Sequence, residues 1–556
     1  MLSLAFTLVF SLFASSLKMD KVQAATSIQS YVSDMQPGWN LGNSLDAIGA
    51  DETAWGNPRI TKELIQKIAA QGYKSIRIPV TWDSHIGAAP NYTIEASYLN
   101  RVQEVTQWAL DEGLYVMINV HHDSWVWISH MEKNHDQVLA KYNAIWTQIA
   151  DRFKNSSNKL MFESVNEPRF TDGGTTDEQK QLKMLEELNL SFHKIIRQSG
   201  GGNAVRPLVL STLEASPTQE RMSALYSTIS KLNDTNIIAT VHYYGFWPFS
   251  VNIAGYTRFE TDSQNDIKQT FDNVYNTFVA KGIPVIVGEY GLLGFDKNTN
   301  VIEQGEKLKF FEYLTNYLKQ KNITHMLWDN GQHFSRTAYT WSDQDLYNTI
   351  KAGITTRSST AASDLIFVKK GATVEDKQIQ LSLNGNTLSE LSVNGQKLVS
   401  GQDYTLSGEL LTIKASQLTK LTSSGNYGVN AVIKAKFNKG ADWNFRVIVN
   451  AKPQLQNKQG TMSDFAIPTA FNGDLLATME AVYTSGGNAG PQNWTSYKEF
   501  EYTFSPSYDS GKITLKPDFF NEVNDGEVIL KFHFWSGEVI SYKIKKSGTS
   551  ITGTVM

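Results

Sequence analysis

Between about Gln36 and Arg357 the chain alternates short β-branched runs with longer amphipathic stretches, and this alternation restricts the fold more than any other feature. The runs begin with Gly38-Trp39-Asn40-Leu41, Ser75 to Val80, Tyr115 to Val120 and Leu160 to Val165. They continue with Leu208 to Leu210, Ile237 to Val241, Pro284 to Val287 and His325 to Trp328. Segments between them, such as Ile60 to Gln71 and Ala140 to Phe153, carry apolar residues at three- and four-residue spacings, the mark of amphipathic helices. Such alternation calls for parallel pairing through right-handed crossovers, and eight units in about 320 residues fit a closed (β/α)8 (TIM) barrel. A doubly wound open sheet shares both the alternation and the doubly buried apolar strands.

After the Ser/Thr-rich joint Thr355 to Ser363 the character changes. Short alternating strands now follow turn signals such as Asn384-Gly385 and Asn394-Gly395, and helical patterns nearly vanish. A second joint near Lys452-Pro453 splits this region. The expected fold class is therefore α/β, a (β/α)8 barrel over 26–357 followed by two β-sandwich domains over 358–452 and 453–556. The first 25 or so residues read differently: an apolar run from Leu2 to Leu17, then Val22-Gln23-Ala24, matches a secretory leader with a small-residue cleavage site. The run is short for a span of a ~30 Å hydrocarbon core, so a secreted, extracellular protein without a membrane partner is expected.

Composition removes several function classes. The net charge of -4 gives no general attraction to nucleic acid or anionic lipid, so neither is expected as a partner. With no cysteine, disulfides, thiol nucleophiles and thiolate metal sites are absent. The expected state is a monomer.

In a (β/α)8 barrel, catalytic groups gather at the carboxyl ends of the strands. Two glutamates follow apolar runs there: Glu167, in Phe162-Glu163-Ser164-Val165-Asn166-Glu167-Pro168, and Glu289, in Val285-Ile286-Val287-Gly288-Glu289-Tyr290. Paired carboxylates across a cleft are what glycosidic cleavage requires, one protonating the departing oxygen while the other attacks or activates water. Two buried salt-bridge partners would show the same spacing. The neighbours favour chemistry: Arg77 in the second run, His121 and His122 after the third, Asn166 beside Glu167, His242 and Tyr244 after the sixth, Trp328 after the eighth. Glu163 shares the strand parity of Glu167 and should sit deeper, as a supporting acid. Adjacent strand residues point to opposite faces and no further ligand cluster has suitable spacing, so His121 and His122 are not expected to hold a metal, and no cofactor is expected.

These residues resemble those of glycoside hydrolase family 5, in its branch of endo-β-1,4-glucanases and xyloglucanases. The resemblance rests on Gly38-Trp39-Asn40-Leu41-Gly42-Asn43-Ser44-Leu45-Asp46, on Val120-His121-His122-Asp123 and on Asn166-Glu167-Pro168, and covers essentially the whole barrel. It implies that Glu167 is the acid/base and Glu289 the nucleophile of a retaining reaction on β-glucan polysaccharides. It further implies that Arg77 and Tyr244 hold Glu289 ionised, His242 contacts Glu167, Asn166 binds the sugar 2-hydroxyl, His121 and His122 bind other hydroxyls, and Trp328 forms the stacking floor. The middle unit resembles the immunoglobulin-like X2 module, read here as a rigid spacer, and the last unit resembles carbohydrate-binding module family 46.

The chain has 13 tryptophans, and flat rings in loops after strands suit pyranose faces. Trp39, Trp82, Trp125, Trp127 and Trp247 are placed that way, with Asp123 a further contact candidate, whereas Trp108 and Trp146 lie on helix faces suited to packing. Trp55 and Trp341 fit either role. Trp494, in the Gly/Asn/Pro/Ser-rich stretch Thr484 to Tyr497, reads as a ligand contact, and Trp535 as core or contact. The short joints predict that the last module folds back so that Trp494 extends the cleft.

Overall fold

The computed structural model describes residues 27–173 and 176–556; the leader reading lies outside the described residues. Eight parallel strands close into one barrel in sequence order: β1 (Gly38–Asn40), β2 (Ser75–Ile78), β3 (Tyr115–Asn119), β4 (Leu160–Glu163), β5 (Leu208–Ser211), β6 (Ile237–Tyr243), β7 (Val285–Tyr290) and β8 (Thr324–Leu327). Closure is made by β1 against β8, Gly38 opposite Met326 and Trp39 opposite Leu327. That excludes the open sheet. Helices such as Lys62–Ala70 and His135–Phe153 lie outside, each burying one stripe.

Side-chain alternation sorts the strands into two cores. Outward residues such as Ile76, Val116, Phe162 and Val287 pack under the helices, while Met117, Met161, Val209, Ile238, Ile286 and Met326 fill the closed end of the barrel. A helix that the sequence pattern leaves unannounced, Ile28–Asp34, plugs this end with Ile28, Tyr31 and Val32. Ser27 caps it, Thr324 Oγ1 donates to Val32 O at 2.6 Å, and Ser75 Oγ to Met35 O at 2.7 Å. The open, carboxyl-terminal end is left for chemistry.

The remainder forms two β-sandwiches. The first pairs a five-stranded sheet with a four-stranded one, and the second pairs a four-stranded sheet with a six-stranded one. Asn394 and Gly395 take φ of 49° and 79°, the left-handed pair that a two-residue hairpin between Leu388–Val393 and Gln396–Lys397 needs. Trp443 is buried in the first sandwich, where it can offer no face to a sugar. Both sandwiches touch the barrel: Asn444 Nδ2 donates to Asp345 at 2.9 Å, and Phe500 N to Asn252 O at 3.1 Å. None of the described helices is long and apolar enough to cross a membrane.

Candidate active site

Arg77 is the hub of the open end. It lies inward on β2, fully buried, and its guanidinium divides its donors among four partners. Nε donates to Glu163 Oε2 at 2.8 Å, Nη1 to Glu289 Oε1 at 2.6 Å and to Asn40 Oδ1 at 3.1 Å, and Nη2 to Asn166 Oδ1 at 2.6 Å. Burial alone would lower its pKa, but the charges of Glu163 and Glu289 outweigh that and raise it. Glu163 also accepts from Asn119 Nδ2 at 2.8 Å and stays inside the barrel wall, a supporting acid.

Glu289 faces the cleft through a β-bulge. Ile286 points inward and Val287 outward, so unbroken alternation would turn Glu289 away from the centre. Instead Gly288 and Glu289 together oppose one residue of β6, with Val241 opposite Val287 and His242 opposite Glu289. The extra residue re-aims the carboxylate, which also accepts from Tyr244 Oη at 2.6 Å.

Glu167 sits four residues beyond the end of β4, at φ 38°, a strained left-handed conformation for a residue with a side chain. His242 Nδ1 lies 2.8 Å from Glu167 Oε1 and 3.5 Å from Glu289 Oε2. Carboxylate oxygens of the two glutamates approach within 4.8 Å of each other. Burial pushes Glu167 up, but the hydrogen bond from His242 and its positive charge outweigh this and hold the carboxyl below its ordinary value. His242 moves the other way: burial lowers it, and Glu289 and Glu167 more than compensate.

His121 and His122 do not diverge as strand neighbours would. β3 ends at Asn119, so both lie beyond it, with rings 4.4 Å apart and on the same side as Asp46. Asn119 uses its amide N–H2 on Glu163 and on His121 Nδ1, at 3.0 Å, which leaves Nε2 as the protonated nitrogen of His121. Burial keeps that ring neutral. Trp125 Nε1 donates to His122 Nδ1 at 2.9 Å, fixing the same tautomer there. The groups Asp46/His121/His122 and Glu167/His242/Glu289 each bring three ligand-type atoms within 4.8 Å of one another, and in them Trp125 Nε1 donates to His122 Nδ1 and Tyr244 Oη to Glu289. Trp328, half-buried, lies parallel to His121 within 3° at 6.1 Å.

The aromatic residues divide sharply. Trp55, Trp125 and Trp247 are 40%, 37% and 41% exposed, and Trp494 is 60% exposed. Trp55 and Trp125 flank His122 at 5.0 and 5.4 Å, and Trp494 lies 6.2 Å from Trp247. Trp39 is corrected: it is an outward residue of β1, 0% exposed, bonded through Nε1 to Asp329 and covered by Arg336, so it presents no face to a sugar. Trp82 and Trp127 are corrected likewise, being buried and bonded to Asn119 O and Asp123. Asp123 itself is buried beneath the site, receiving the Trp82 backbone N–H, and burial pushes its carboxyl up to about 6. Trp535 follows the strand Gly526–Phe534 and packs against barrel Arg258 at 4.9 Å.

A (β/α)8 barrel whose strand ends present this carboxylate pair, beside exposed indoles, has the architecture of a polysaccharide-cleaving enzyme. The sequence model described as cellulase, glycosyl hydrolase family 5, matches residues 40–334, and carbohydrate-binding domain models of types X2 and 46 match residues 360–447 and 451–554. Endoglucanase B of Paenibacillus lautus is 75% identical over 530 residues, covering 95% of this chain and 94% of that protein. The solved full-length tri-modular endo-β-1,4-glucanase B of Bacillus halodurans is 58% identical with a TM-score of 0.95, covering 96% of this chain and 99% of that one. A tri-modular family 5 endo-β-1,4-glucanase from Bacillus licheniformis, solved with cellotetraose, is 33% identical with a TM-score of 0.81, covering 93% of this chain and 99% of that one. The chain belongs to glycoside hydrolase family 5 and is a glycoside hydrolase with two appended carbohydrate-binding-type modules.

Proposed function

We propose that the protein is a secreted, retaining endo-β-1,4-glucanase acting on internal bonds of cellulose, mixed-linkage β-glucan or xyloglucan. The observation that carries this reading is that one oxygen of Glu167 and one of Glu289 lie no more than 4.8 Å apart, a close approach that fits the ~5–5.5 Å carboxyl separation of retaining enzymes better than the ~6.5–9.5 Å that leaves room for an inverting water. Glu289 attacks the anomeric carbon while Glu167 passes the proton it shares with His242 to the departing glycosidic oxygen, forming a glycosyl-enzyme ester. Glu167, now a carboxylate, takes a proton from water, whose oxygen displaces Glu289 and restores both groups.

Supporting roles follow from the bonds each residue has left free. Arg77 and Tyr244 orient Glu289, and His242 shares the proton that Glu167 delivers. Asn166, whose Oδ1 is occupied by Arg77, offers its amide N–H2 to the sugar 2-hydroxyl. His121 and His122 bind neighbouring hydroxyls, Trp328 is the floor of the cleaved sugar, and Trp55, Trp125, Trp247 and Trp494 extend the stacking surface. The X2-like unit acts as a rigid spacer between the barrel and the last module.

Replacing Glu289 by Gln should abolish hydrolysis while leaving polysaccharide binding intact, whereas a pure binding protein would lose nothing. Replacing Glu167 by Gln should cost about 10²–10⁴-fold on polysaccharide, and much less on an aryl glycoside whose leaving group needs no proton. Product stereochemistry read by NMR decides retention, and a panel of glucans, mannan and xylan separates the glucanase reading from a mannanase or xylanase on the same scaffold.

A further inference from the structure

The loop that carries Trp494 is built around a buried cation. Lys498 is 0% exposed, and its Nζ donates to the carbonyls of Pro491 at 2.9 Å, Gln492 at 3.4 Å and Thr495 at 2.9 Å. Asn488 Nδ2 holds the carbonyl of Asn493 at 2.9 Å. Between Pro491 and Thr495 only the carbonyl of Trp494 itself lacks such a tie among these contacts. The loop is strained: Gln492 has φ 48°, and Gly490, at φ 80°, lies where a Cβ would come 2.8 Å from the Phe519 ring. An apolar residue at 498 would fill the space without the cost of burying an ammonium, but would orphan the carbonyls.

A second tie runs to the barrel. Gln492 Nε2 donates to Glu499 Oε2 at 3.1 Å, and the other oxygen of Glu499 pairs with Lys297 in the segment following β7. Lys297 also lies over the Tyr502 ring at 4.8 Å, and Asn252 Nδ2 reaches Ala477 O at 3.1 Å on the same interface. The contacts that dock the module and those that shape the loop therefore meet in one buried carboxylate.

We propose that Lys498 and Glu499 are positioning residues that present Trp494 to a glucan chain beside Trp247, Lys498 by fixing the loop's shape and Glu499 by keying it to the barrel. This rests on the reading of Trp494 as a sugar platform.

The test is a double-mutant cycle on the full-length enzyme with soluble mixed-linkage β-glucan. Lys498→Met and Glu499→Gln should each raise KM about fivefold with kcat unchanged, as should Trp494→Ala, and Lys498→Met in the Trp494→Ala background should add nothing. Gln492→Ala, which cuts the barrel tie at a partly exposed position, carries the same test if Lys498→Met does not fold. If Trp494→Ala raises KM but the Lys498, Glu499 and Gln492 variants do not, or their effects add fully to it, the positioning role is overturned. If Trp494→Ala itself leaves KM unchanged, the platform reading fails and the inference falls with it.

Discussion

Glu289 and Gly288 jointly oppose His242, and this doubled pairing turns the carboxylate into the cleft. A Cβ at Gly288 would lie 2.8 Å from Thr240 Oγ1 and 3.1 Å from His242 Nε2, neither of which has room to retreat inside the barrel. Gly288→Ala should therefore displace the bulge or the imidazole that bridges both glutamates. Misplacement by about 1 Å costs roughly 10²-fold, so kcat should fall by that order. Steady-state kinetics beside a thermal melt checks this, and a folded variant with normal kcat would contradict it.

Arg77→Lys tests the hub. A single ammonium cannot reproduce the planar fork that reaches Glu163, Glu289, Asn40 and Asn166 together. The variant should lose about 10²–10³-fold in kcat, the scale of removing a preorganised donor to a reacting group. It should also melt lower, because one ammonium cannot satisfy the buried Glu163 and Glu289 carboxylates together.

The barrel is legible because each strand is a contiguous apolar run and each helix keeps its period, both local signals. Arg77, Glu167 and Glu289 are legible because they fall at strand ends. The tryptophans are less so: Trp39 and Trp82 follow the same strand-to-loop pattern as Trp125, yet burial depends on what the distant Asp329, Arg336 and Asn119 bring to them. Trp55, which the sequence leaves open between packing and platform, is placed as a platform only when the fold sets it, exposed, beside His122, 67 positions later in the chain. The β7 bulge leaves no trace in sequence beyond Gly288, and the plug helix Ile28–Asp34 is too short to announce a period.

That division predicts opposite outcomes for two indoles. Trp39→Phe should leave KM for β-glucan unchanged and reduce stability by about 1–2 kcal/mol, since it deletes a buried donor to Asp329. Trp55→Ala should leave the melting temperature nearly unchanged and raise KM severalfold. Denaturant unfolding and polysaccharide kinetics on both variants check the pair, and a KM defect confined to Trp39→Phe would reverse the assignment of platforms.

His325, buried beside the plug at the closed end, should govern stability on the acid side. Gln36 Nε2 lies 2.9 Å from His325 Nε2, and the Gln36 side-chain oxygen Oε1 accepts from the His325 backbone N–H at 3.0 Å. Burial lowers the ring to about 4 from its ordinary 6.5. The unfolded chain therefore takes up this proton first, so the contribution is fully present above pH 6.5 and is lost as pH falls toward 4. Between those limits the folded state should lose roughly 2–3 kcal/mol through this group alone. A His325→Gln variant, which cannot titrate, should show a flatter stability profile over that window. Urea unfolding at a series of pH values measures both slopes, and parallel profiles for the two proteins would rule out His325 as the acid-sensitive group.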